Sequence, residues 1–254
     1  LTEPAIILAA FGTTVPSARQ VYERFESLVR DRLPEHSIRW TFTSSVVRKR
    51  LLEEGREILD PLSTLAQVAR EGYHNAVVQS LHVTPGEEYT RLLSLVQDGL
   101  DVQFGKPLMH KEAAIDRILQ LLKAEVRDAA PTVLVAHGNG QSEFDGWYRL
   151  LIDRARLHLP EVILASLEGF PGPEPLERIH HQVTERGDVH FIPLLLVAGD
   201  HVINDIMGES EESWKNRLNA QRVSCAPPLG ERAEVLEIFL EHLIDAVTQS
   251  KAGL

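Results

Sequence analysis

The sequence predicts an α/β protein of two similar Rossmann-like lobes, each a parallel sheet flanked by helices, with a cleft between them. Three observations predict it. Short apolar runs alternate with longer amphipathic ones along the chain, as expected for strand–helix–strand units whose parallel sheet is covered on both faces. The order restarts near residue 130. The restart also repeats sequence: residues 6–12 (IILAAFG) resemble 133–138 (VLVAHG), and 81–88 (LHVTPGEE) resemble 194–201 (LLLVAGDH).

Residues 4–11 (PAIILAAF) read as a buried parallel strand, followed by Gly12, Thr13 and Thr14. Pro16 then suits a first helical turn. Val21, Phe25, Leu28 and Val29 recur at helical spacing, which predicts a helix over 17–33. A second strand covers 37–44, and helices cover 46–54 and 61–71. The third strand, 75–81 (NAVVQSL), runs into His82. A helix over 87–97, a strand over 102–108 and an amphipathic helix over 111–126 complete this half.

The second half opens with a strand over 131–137 (PTVLVAH) that ends at Gly138. A helix over 144–158, a strand over 162–167 ending at Glu168, and a helix over 175–185 follow. The strand over 189–197 (VHFIPLLLV) runs into Ala198, Gly199, Asp200 and His201. A short helix over 212–219, an edge strand over 222–225 and a closing helix over 231–248 end the chain. The expected division is therefore 1–129 for the N-terminal lobe and 130–254 for the C-terminal lobe, with the last helix able to pack back on the first.

Composition excludes several classes of function. The 254 residues carry 26 Lys and Arg against 37 Asp and Glu, a net charge of −11, which repels nucleic acid. Hydrophobic residues make up 43%, too many for a disordered chain. Cys225 is the single cysteine, so there is no disulfide scaffold. No apolar run reaches the ~18–20 residues of a membrane span. The phosphate loop, the dinucleotide fingerprint and the Gly-x-Ser-x-Gly elbow are missing, so no nucleotide cofactor is expected. Leu1 in first place fits either a trimmed chain or a removed export signal.

In open parallel sheets, ligands bind beyond the carboxyl ends of the strands. In the second lobe those ends carry His137, Glu168 and His201; in the first they carry Phe11, Gly12, Thr13, Thr43, Ser44 and Glu88. Two imidazoles and a carboxylate suit a divalent transition metal. A lone histidine after a strand is more often a hydrogen-bonding residue than a ligand, but three such groups at neighbouring ends reverse that balance. Glu88 reads equally as an acidic first-turn residue favoured by the helix dipole. His82 reads as structural, with an accessory haem or metal left open. The run 200–205 crowds polar groups and then presents Val202, Ile203 and Met207, a mixture suited to a partly hydrophobic ligand that meets a metal. Phe11, Gly12, Thr13, Ser44, Val202 and Met207 are the candidate substrate contacts. Arg48, Lys49 and Arg50 form the best basic cluster, or simply a solvated helix face.

The segments Ala10-Phe11-Gly12-Thr13, Gln79-Ser80-Leu81-His82, Gly86-Glu87-Glu88-Tyr89 and 196–205 (LVAGDHVIND) resemble the anaerobic cobalt chelatase family, the ATP-independent class II sirohydrochlorin cobaltochelatases. Phe42-Thr43-Ser44 and Ser213-Trp214-Lys215 fit the same pattern. The resemblance implies a two-lobed chelatase fold, related to protoporphyrin ferrochelatase, with the tetrapyrrole in the cleft. It implies Co2+ as the substrate metal, with Fe2+ open, held by His137, Glu168 and His201. His137 or Glu88 would take the pyrrole protons, and Glu88 and His201 would face each other across the cleft. The rival reading is a periplasmic-type metal or tetrapyrrole carrier without turnover. A homo-oligomer is open, and so is the compartment: cytoplasmic by family default, periplasmic if an export signal was removed.

Overall fold

The computed structural model describes residues 3–252. One compact unit comprises the chain up to Leu108 together with the segment from Ala233 onward, and a second comprises Met109–Arg232.

The first unit runs β1 (Ala5–Ala10), α1 (Pro16–Arg32), β2 (Ile38–Phe42), α2 (Ser45–Glu53), α3 (Pro61–Arg70), β3 (Asn75–Ser80), α4 (Glu87–Leu93) and β4 (Asp101–Gly105). Its strands are parallel in the order β2-β1-β3-β4. β1 and β3 are central and buried along their whole length, which explains the unbroken apolar run of β1. Pro16 opens α1, and Ala18, Val21, Tyr22, Phe25 and Val29 form its buried stripe. The Ser44 hydroxyl caps α2 by accepting from the Val47 N–H at 3.3 Å. α4 ends short of the expected residue 97. The Ser94 hydroxyl donates to the Arg91 carbonyl at 2.7 Å, and a Gln97–Leu100 bridge turns the chain into β4.

The second unit runs α5 (Glu112–Leu122), β5 (Thr132–Asn139), α6 (Asp145–His158), β6 (Val162–Gly169), α7 (Glu177–Arg186), β7 (Asp188–Pro193), a π-helical turn (His201–Ile206), α8 (Trp214–Arg217) and β8 (Arg222–Cys225). Its strands are parallel in the order β6-β5-β7-β8, the arrangement of the first unit repeated. In each sheet the chain fills one side of its first strand, then crosses to the other. The switch point therefore lies between β1 and β3, and between β5 and β7. The final helix, α9 (Ala233–Ala252), packs on β3 and β4. Phe239 on α9 meets Phe25 on α1 edge-on at 6.1 Å, and the His242 Nδ1 donates to the Lys106 carbonyl at 3.1 Å.

Two further details depart from the sequence reading. The helix expected to close the first lobe, α5, belongs to the second unit. It buries Ile115, Ile118, Leu119 and Leu122, and its Asp116 takes both arms of the Arg154 guanidinium of α6 at 2.6 Å. The strand expected over 189–197 stops at Pro193. Beyond it the carbonyls of Leu195 and Leu196 accept from the Leu229 and Gly230 N–H groups, which takes them out of the sheet. No helix among the described residues is long and apolar enough to cross a membrane.

Candidate functional site

In the second unit, the pleat of β5 puts Val133 and Val135 on the face packed with Val202, Ile206, Trp214 and Leu218. His137 is the next residue on that face, half-buried where the apolar cover ends. The cover comes from the π-helical turn, whose Val202 and Ile206 anchor it in the core. His201 opens the same turn. The rings of His137 and His201 meet edge to face, with centroids 4.8 Å apart and planes at 86°. π-Helical turns are rare and concentrate at functional sites.

The hydrogen bonds assign a tautomer to each ring. The His201 Nδ1 lies 2.6 Å from the Asp205 carboxylate. The His137 Nδ1 lies 3.2 Å from the Gly138 carbonyl oxygen. A carbonyl or an ionised carboxylate only accepts, so each Nδ1 carries the hydrogen. In the neutral form of each imidazole the lone pair then sits on Nε2, the nitrogen suited to a metal or a proton.

Glu168 lies at the adjoining strand end and is exposed, in register with Gly138. The pleat of β6 puts Leu167 on the core side and Glu168 on the other. Gly138 has φ +86°, and a Cβ there would fall 1.7 Å from the Glu168 carbonyl oxygen. That glycine lets β5 and β6 stay paired as far as Asn139 and Gly169, past the ends expected from the sequence. Among the described residues, no three His, Cys, Asp or Glu side chains gather into a metal-holding group. His137 and His201 are brought together; Glu168 stands beside them without joining them.

At the strand ends of the first unit, Phe11 is exposed, while Gly12, Thr13 and Ser44 are buried. Gly12 has φ +99° and sits against the Phe42 ring, where a Cβ would be 2.7 Å from a ring carbon. The Tyr22 hydroxyl accepts from the Gly12 N–H, and burial pushes that phenol well above its ordinary range, so it stays neutral. The Thr13 hydroxyl accepts from the Val15 N–H at 3.2 Å. His82 pairs its Nδ1 with the Ser80 hydroxyl at 2.9 Å and its Nε2 with the Thr43 hydroxyl at 3.3 Å. Glu88 lies in the first turn of α4, where Arg91 pairs with Glu87 and stands 3.6 Å from Glu88.

Several side chains are placed differently from the sequence reading. Val202 is a core residue, 8% exposed, and Met207 is partly buried against the same core. Of Val202, Ile203 and Met207, Ile203 is the one presented to solvent, 46% exposed. Arg48 directs its guanidinium at the carbonyls of Phe42 and Thr43, 2.9 Å from the latter, so it ties down the end of β2. Apart from these, burial pushes the Cys225 thiol up to about 11, as suits a partly buried structural cysteine. Sequence reasoning missed Asp205, although its spacing of four from His201 was a readable sign. It also missed Arg149, which covers the Phe170 ring at 4.3 Å just past the end of β6.

The comparisons with known proteins agree with one another. A family model described as cobalt chelatase (CbiK) matches residues 4–248. The sirohydrochlorin cobaltochelatase CbiKC of Nitratidesulfovibrio vulgaris is 32% identical over 263 residues, covering 98% of this chain and 92% of that one. The sirohydrochlorin cobaltochelatase of Salmonella typhimurium is 27% identical over 262 residues, covering 97% of each. Among solved structures, SirB from Bacillus subtilis with Fe3+ superposes with a TM-score of 0.62 at 16% identity, over 98% of each chain, a likeness of fold.

Proposed function

The chain belongs to the cobalt chelatase (CbiK) family, and on that premise we propose that it inserts Co2+ into sirohydrochlorin without ATP, with His137 and His201 taking up the ion. It is an enzyme, a sirohydrochlorin cobaltochelatase; the site residues and the course of insertion are our reading. The observation that supports this reading is the pair of rings 4.8 Å apart at the sheet's switch point.

Insertion asks three things of a protein. The ion must shed water, two pyrrole N–H protons must leave, and the ring must open a path to its nitrogens. Imidazole nitrogens bind Co2+ well, yet two of them release it to a macrocycle that offers four. We assign His137 and His201 to hold the ion through Nε2; Glu168, on the other face of the sheet end, joins them as third donor only by a movement of its side chain on metal binding. A lone pair engaged with a metal does not take a proton at the same time. His137 therefore accepts a pyrrole proton only after the ion has moved on, or Glu88 serves as the base. Ile203 offers an exposed apolar side chain on the turn that carries His201. Phe11, Gly12, Thr13 and Ser44 remain the first unit's candidate substrate contacts, and Val202 and Met207 support the turn from beneath. Fe2+ suits the same donors, and we propose it as an alternative substrate metal.

The test is a multiple-turnover assay with metal-free sirohydrochlorin and either Co2+ or Fe2+, in the absence of ATP, followed by the visible spectrum of the ring. An enzyme of this kind converts many equivalents. Strictly stoichiometric uptake would instead indicate a carrier, and a requirement for ATP would overturn the proposed course.

A further inference from the structure

We infer that Asp205 is a positioning residue: it fixes the tautomer and the aim of His201, so that Nε2 is the nitrogen that meets the cobalt ion. The inference rests on the reading of His201 as a metal ligand and adds to it the group that prepares that ligand.

The turn's own geometry leads here. Val202 and Ile206 are four residues apart and both point into the core. His201 and Asp205 are also four apart and each precedes one of the anchors, so they form a second row beside the anchored one. The turn is closed by the Met207 N–H donating to the Val202 carbonyl at 3.1 Å, a five-residue span. On that row the Asp205 carboxylate reaches the His201 Nδ1 at 2.6 Å, with side chains 50% and 35% exposed. A pair this exposed adds little to folding. Its effect on the imidazole is larger. Which nitrogen of a histidine carries the hydrogen is set by the hydrogen bond the other one makes. With Asp205 accepting from Nδ1, Nε2 holds a lone pair; without it, the hydrogen is at liberty to occupy Nε2 and block the metal. The bond also fixes the ring's rotation, on which its edge-on approach to His137 depends. Carboxylates behind metal-binding histidines act in this way generally, and their loss typically costs about 10–100-fold in metal affinity or activity. The neighbouring Asn204 amide reaches toward Asp200 at 3.5 Å, so that pair lies apart from the His201 contact.

The experiment compares wild type, Asp205→Ala, Asp205→Asn, His201→Ala and the double variant His201→Ala/Asp205→Ala. Histidine NMR on isotope-labelled, metal-free protein reads the tautomer, with His201→Ala identifying the signal. Titration with Co2+ alone, followed by its visible absorption, reads affinity. Asp205→Ala is expected to move His201 toward the Nε2–H form and to weaken Co2+ binding by about 10–100-fold, with the melting temperature held. Asp205→Asn keeps an oxygen that accepts from Nδ1 and recovers most of the affinity. In the His201→Ala background, loss of Asp205 adds nothing. If Asp205→Ala keeps both the tautomer and wild-type affinity while His201→Ala loses affinity, the positioning role falls and the ligand reading stands. If His201→Ala itself binds Co2+ like wild type, the ligand reading falls and takes the positioning role with it.

Discussion

His137 and His201 meet edge to face with their ring centroids 4.8 Å apart, one at the end of a central strand and the other opening a π-helical turn. Neither ring belongs to the packed core cluster of the second unit. His137→Ala and His201→Ala are each expected to fold with near wild-type melting temperatures. Each is expected to lose Co2+ insertion by about 100-fold or more, at least the upper end of what loss of an outer-shell partner costs. Insertion at limiting Co2+, followed by the visible spectrum of sirohydrochlorin, checks this.

The end of β5 depends on a glycine. A Cβ at Gly138 would strike the Glu168 carbonyl oxygen, and its φ of +86° disfavours any other residue. Gly138→Ala is expected to cost about 1–3 kcal/mol, read as a fall in melting temperature, and to lower insertion by displacing the neighbouring His137. Gly140→Ala is the control. Its Cβ would meet nothing within 4 Å, so its stability should stay within about 0.5 kcal/mol of wild type.

Acid stability should depend on the clamp between α5 and α6. The Arg154 guanidinium, foremost through its hydrogen bond, and then His158 hold the Asp116 carboxyl below its ordinary value, against the opposing effect of burial. A carboxyl with a lowered folded-state pKa stabilises the fold above its unfolded value, about 3.9. That contribution is lost as pH falls through the folded value. Asp116→Asn should therefore be less stable than wild type at neutral pH and show a flatter decline below about pH 4. Chemical unfolding across pH measures both. A slope matching wild type would remove Asp116 from the acid response.

His190 acts in a higher window. Burial, and after it the Arg127 guanidinium, hold its imidazole below the ordinary value, while Glu125 and Ser224 oppose them. Its Nδ1 pairs with the Ser224 hydroxyl at 2.8 Å. The unfolded chain therefore binds a proton here more readily than the folded one. Stability is full above about pH 6.5 and falls as pH drops from there toward the folded value. His190→Gln should flatten that part of the curve, whatever it does to the plateau. An unchanged slope in the unfolding curves would contradict this.

The fold was legible wherever burial alone decides. The unbroken apolar runs of β1 and β5 could only be central strands, and the strand-end rule then selected His137 and His201. What stayed hidden depends on partners distant in sequence. Gly138 and Gly169 look like turn residues, yet in the structure they allow β5 and β6 to run on in register. Leu194 and Leu195 continue the hydrophobic pattern of β7 but pack as core after the strand has ended. Val202, Ile203 and Met207 are alike in composition, and only the anchoring of the π-helical turn decides that Ile203 faces out. In the sequence Arg48 is one of a basic cluster or of a solvated helix face; its contacts with the carbonyls at the end of β2 depend on the fold.

The central claim is that cobalt enters through the His137–His201 pair. Diffraction at the cobalt absorption edge, on crystals soaked in Co2+, tests it most directly. The expected result is an anomalous peak within bonding distance of both Nε2 atoms. A fully occupied cobalt ion at another place, with these two imidazoles bare, would contradict it.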